Sequence, residues 1–133
     1  MTKRGRVVLA TAVVVAVIGG ALAMTWAGTT KGQAVLEGGT SRHTVRVVVE
    51  PAAVGTTVVR IEVGAASGVV GVRLEPAMAH MGHALAPLAA ALEGPGRYRV
   101  DTTFDMPGPW ELTVAVEDGL GTQRVALPLV ITG

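Results

Sequence analysis

The run Thr44-Val45-Arg46-Val47-Val48-Val49-Glu50-Pro51 decides the fold class. Side chains alternate between the faces of an extended chain, so Val45, Val47 and Val49 share one face against Thr44, Arg46 and Val48. That is the period of a half-buried strand. Pro51 ends it, because proline brings no N–H to a ladder.

Outward from this run the pattern recurs. Residues 56–63 set Val59, Ile61 and Val63 against Arg60 and Glu62, and residues 69–75 set Val70, Val72 and Leu74 against Arg73 and Glu75. Gly71 marks a candidate bulge in the latter run. Residues 97–104 set Tyr98, Val100 and Thr102 against three charged residues, and residues 110–117 align Trp110, Leu112, Val114 and Val116. Asp118-Gly119 signals a tight turn before a last run, 124–131, whose Pro128 predicts an edge. Residues 84–93 also alternate at Leu88, Ala90 and Leu92, and Pro87 predicts a second edge strand there. About seven strands in roughly 90 residues predict an all-β, immunoglobulin-like β-sandwich. Tyr98 and Trp110 are its expected core anchors.

The 133-residue chain is half hydrophobic but only 3% aromatic, with Val, Ala and Gly supplying most of the apolar count. There is no cysteine, which excludes disulfides, thiolate metal sites and a thiol nucleophile. Lys3, Arg4 and Arg6 precede an uncharged run of 21 residues, 7–27. A basic flank before an apolar run is an export signal, so residues 1–27 are expected to form an apolar helix. As a helix the run would reach about 31 Å, enough to cross a bilayer, while Ala21-Leu22-Ala23 fits a signal-peptide cleavage site. Both a cleaved signal peptide and a transmembrane anchor fit, and each delivers the rest to the periplasm or the outer face of the cell membrane. Residues 28–40 read as a linker and 41–133 as the domain. Beyond residue 23 the net charge is −2, which argues against a nucleic-acid partner.

Two of the three histidines and two of the five methionines fall in Pro76-Ala77-Met78-Ala79-His80-Met81-Gly82-His83, and Met106 follows in Phe104-Asp105-Met106-Pro107-Gly108-Pro109-Trp110. Thioether and imidazole together are a copper ligand set, with Cu(I) favoured over Cu(II). The expected set is His80, Met81 and His83, with Met78 and Met106 as further sulfur donors. A regular strand would split these residues between two faces, whereas a turn at Gly82 would regroup them. The competing reading makes the methionines core fillers and the histidines exposed loop residues. His43, at the linker boundary, is expected to be an ordinary surface residue. Ser41 and Ser67 lack a nucleophile-elbow setting, and no Gly-rich loop opens a helix, so no catalytic apparatus is expected.

The Met-x-His stretch, the proline-bearing segment, Gly96-Arg97-Tyr98-Arg99, and Met106-Pro107-Gly108-Pro109-Trp110-Glu111-Leu112-Thr113-Val114 together resemble the YtkA-like domain family over about residues 40–131. That family is similar to the periplasmic domain of FixH-type proteins. The resemblance implies an exported sandwich domain linked to copper or to respiratory oxidase assembly. Two functions are therefore expected. One is a copper carrier, sensor or delivery module serving a membrane protein such as a copper transporter or an oxidase assembly component. The other is a metal-free interaction domain supporting assembly of a membrane complex.

Overall fold

The computed structural model describes residues 32–133; the expected N-terminal helix lies outside them. Among the described residues no helix is long and apolar enough to cross a membrane. In chain order the strands are β1 (Ala34–Gly39), β2 (Thr44–Glu50), β3 (Gly55–Val63), β4 (Val69–Met78), β5 (His83–Ala84), β6 (Leu88–Ala89), β7 (Ala91–Gly94), β8 (Arg97–Phe104), β9 (Gly108–Asp118) and β10 (Gly121–Ile131). They form two antiparallel sheets, β1-β2-β3-β8-β7 and β10-β9-β4-β5, with β6 also paired to β4.

The alternation read from the sequence fixes what lies between the sheets. Val45, Val47 and Val49 of β2, Val59, Ile61 and Val63 of β3, and Tyr98, Val100 and Phe104 of β8 join one core. From the other sheet come Leu74 of β4, Trp110, Leu112, Val114 and Val116 of β9, and Leu127, Leu129 and Ile131 of β10. Each large aliphatic side chain fully buried there is worth about 1.5–3 kcal/mol. Asp118 pairs with Gly121 across the expected tight turn, and Pro128 lies on β10, the sheet's edge.

Three expectations need correction. Val70 is 73% exposed rather than inward. The β4–β9 register slips between Val69 and Gly71, so Val70 is the extra residue of a bulge and turns outward. Residues 84–93 are not one strand: β5 and β6 extend β4's edge, Pro87 falls between them, and the chain then crosses to the other sheet as β7 beside β8. The expected linker, 28–40, contains β1, which pairs with β2 along its length. Ala34 and Leu36 pack against the core. Gly38 admits Leu127 of β10 so closely that a Cβ there would lie 2.7 Å from Leu127 Cδ2.

His43 also departs from expectation: it is buried, only 6% exposed. Its Nε2 faces Asp118 Oδ2 at 2.8 Å and its Nδ1 faces the Gly64 carbonyl at 3.3 Å. The Arg42 guanidinium donates two bonds to the same carboxylate, at 2.8 and 3.1 Å, and the Leu120 N–H a fourth at 2.8 Å. Three turns, after β1, β3 and β9, are thereby latched together at one pole of the sandwich. Both ends of the domain lie at the opposite pole. There the Gly32 carbonyl accepts the Ala52 N–H, Thr132 bonds Ala52 and Val54, and Gly133 abuts Pro107.

The bonds from Arg42 and then from His43 hold the Asp118 carboxyl well below its ordinary value of 3.8. A folded-state value depressed in this way stabilises the fold above the ordinary value and loses that contribution as pH falls toward the folded one. We therefore expect the difference in Tm between wild type and Asp118→Asn to be full near neutral pH and to narrow as the pH is lowered below 3.8. Thermal melts across that range check it.

Candidate metal centre at the methionine–histidine pole

At this pole β4 runs on through Pro76 and Met78, both facing the core, so Met78 ends the strand rather than opening the loop. Ala79–Met81 forms one 3₁₀ turn, closed by the Gly82 N–H bonding the Ala79 carbonyl at 3.2 Å. Gly82 has φ +63°, the left-handed conformation that glycine adopts without penalty. The chain then reverses, and His83 pairs directly with Met78 across the ladder.

Directly paired residues of an antiparallel ladder project to the same face. Met78 points inward, so His83 does too, and its ring meets the edge of Trp110 with centroids 5.7 Å apart and planes at 73°. Trp110 in turn meets Phe104 at 5.1 Å in the same T-shaped manner. The Trp110 Nε1–H donates to the Met106 carbonyl at 2.9 Å, which ties the loop between β8 and β9 to this cluster. Asp105, in the same loop, reaches His83 Nε2 at 3.2 Å.

The five expected donors are thus distributed in three settings. Met78 is 1% exposed and belongs to the core, with its Cε beside Gly108, where a Cβ would approach to 3.2 Å. His83 is half-buried against Trp110, and Met106 is partly buried against the core in the adjoining loop. His80 and Met81 occupy the solvent-facing tip, Met81 being 57% exposed. Among the described residues no three His, Cys, Asp or Glu side chains gather closely enough to hold a metal by themselves. The other candidate donors at this pole are the thioethers of Met81 and Met106, a ligand type that copper accepts.

Other concave regions carry less chemistry. The open hollow lined by Glu37, Arg46, Glu62 and Arg97 is a solvated charged surface, with Arg46 flanked by Glu37 and Glu62 at 3.6 Å each. At the latched pole both His43 ring nitrogens lie against oxygens of the fold and the side chain is buried, so the imidazole is engaged in holding the turns together. From sequence Asp105, like Asp101, reads as a solvated loop carboxylate, because its partner is 22 positions away. The available signal was its place immediately before Met106.

The difference between the two turn-flanking methionines has a direct consequence for stability. Met78→Ala is expected to cost about 2–5 kcal/mol through cavity formation. Met81→Ala, at an exposed site, is expected to stay within about 0.5 kcal/mol of wild type. Urea unfolding of the two variants checks this.

Comparison with known proteins adds the following. No match is found among curated proteins. A crystal structure of an engineered protein, a structural-genomics target, matches 61% of this chain with a TM-score of 0.52 at 22% identity, and the match spans 17% of that longer chain. Likeness at that identity concerns the fold alone, and it agrees with the paired antiparallel sheets. The YtkA-like family model matches residues 39–115, from the end of β1 into β9, including the whole methionine–histidine turn and the Trp110 loop. With more than half its length matched, the chain belongs to the YtkA-like family.

Proposed function

We propose that this protein is a copper-binding module of the extracytoplasmic space, brought there by its N-terminal segment, and that it carries or delivers Cu(I) for a membrane partner. The donors are His83 and Met106 at the Trp110 wall, with His80 and Met81 from the turn. Met78 is a reserve sulfur behind them, engaged only if the end of β4 moves. Two imidazoles with one or two thioethers suit three- or four-coordinate Cu(I), which gains more from sulfur than Cu(II) does. As a domain that carries a metal rather than transforms a substrate, it needs no catalytic residues.

The observation that carries this reading is the ladder pairing of Met78 with His83. It closes a turn bearing two further soft donors and sets the His83 imidazole beside the loop that bears Met106. The apolar wall of Trp110 and Phe104 behind His83 also favours soft, weakly hydrated Cu(I) over harder ions. A second reading, a metal-free surface that docks onto a membrane complex, is favoured by the exposed Met81 and Val54.

A Cu(I) competition titration separates the two. Under the copper reading, the double variant His80→Ala/His83→Ala loses more than about 100-fold in affinity, beyond the 10–100-fold cost of losing only a supporting contact. Affinity also weakens in acid, since protons compete with metal for imidazole nitrogen. Unchanged affinity in the double variant removes these histidines from the site. If such a variant also functions normally in cells, the docking reading is the better account.

A further inference from the structure

We infer that Asp105 is the positioning residue of this centre: its carboxylate fixes the His83 ring so that Nδ1 is the nitrogen offered to metal. The inference deepens the copper reading and rests on it for the word metal, but its structural half stands independently.

The argument begins with the hydrogen bond. A carboxylate only accepts, so the 3.2 Å contact between Asp105 Oδ1 and His83 Nε2 requires the proton on Nε2. In the neutral ring the lone pair is then on Nδ1. Rotation of the imidazole is opposed on two sides, by that bond and by the edge contact with Trp110 at 5.7 Å. The carboxylate is itself restrained through its neighbour, because the Met106 carbonyl accepts the Trp110 Nε1–H at 2.9 Å. One short loop therefore carries a thioether and also orients the imidazole across from it. Metal-ligating histidines commonly bond a carboxylate through the second ring nitrogen, which sets the tautomer and raises the basicity of the ligating one.

The pair is half exposed, with side-chain exposures of 34% for His83 and 52% for Asp105. A half-exposed contact of this kind contributes little to folding. Its removal thus leaves a folded domain in which orientation alone has changed.

The test uses the full chain labelled with ¹⁵N-histidine, without metal, at neutral pH. The three imidazoles are resolved by NMR, and His83 is assigned by its disappearance in His83→Gln. Wild type is expected to show His83 as the Nε2–H tautomer. Asp105→Ala is expected to give a mixture of tautomers and an approximately 10-fold loss of Cu(I) affinity. Asp105→Asn, which keeps an acceptor oxygen, is expected to restore the tautomer and most of the affinity. An unaltered His83 tautomer in Asp105→Ala overturns the positioning role, whatever the metal result. If Asp105→Ala shifts the tautomer but leaves affinity unchanged, while His83→Gln weakens binding, the orientation stands and its importance to metal is overturned. If His83→Gln leaves Cu(I) affinity at the wild-type level, the copper reading at this residue fails, and the apo tautomer still reports whether Asp105 orients the ring.

Discussion

The register of β4 against β9 is the constraint on which this domain turns. Val69, next to the core, and Gly71 bracket a bulge, and the residues facing inward are odd-numbered before it and even-numbered after it. Were the strand regular, with no bulge at Val70, the parity set by Val69 would drive Arg73 and Glu75 between the sheets. Each is a charge that burial without a partner would make very costly. With it, Leu74 and Met78 join the core and the two charges face outward. The same parity governs the far end of the strand. An inward Met78 obliges its ladder partner His83 to face inward as well, toward Trp110. A one-residue irregularity near one pole therefore selects which member of the methionine–histidine stretch is sheltered at the other.

Much of this fold was legible because period-two patterning survives wherever a strand has one wet face. The faces of β2, β3, β8 and β9 follow the sequence residue by residue. The expected number of long strands also agrees, seven having six or more residues among those described, but for a partly mistaken reason. Alternation counts residues 84–93 as a strand, although the chain there breaks up to change sheets. Local sequence hides β1, because Thr, Gly and Lys around Ala34-Val35-Leu36 resemble a spacer. The short strand is held by its ladder and by Leu127 pressing into the space Gly38 leaves open. Neither is visible locally.

The pole bearing the candidate centre was legible in its residue types and obscure in its arrangement. Composition marked the eight-residue stretch as unusual, but it cannot distinguish Met78, locked in the core, from Met81, three positions on and in water. That distinction comes from where β4 stops, which the Pro76 ring and the absence of obvious alternation concealed. His43 shows the converse. Taken with its neighbours Ser41 and Arg42 it looks like surface, and it is buried only because Asp118, 75 positions later, supplies a partner. A buried polar side chain is stable only with its hydrogen bonds satisfied, and such long-range partners leave no mark on nearby sequence.

The chain enters this domain beside Ala52 and leaves it beside Pro107, both at the pole that carries His83 and Met106. A polyhistidine purification tag joined directly to Gly32 or Gly133 would bring a rival set of imidazoles to the pole of the centre and contaminate any metal titration. The hairpin tip at Gly119 and Leu120, at the far end, is the place for a label or an immobilising handle that leaves the ligands undisturbed.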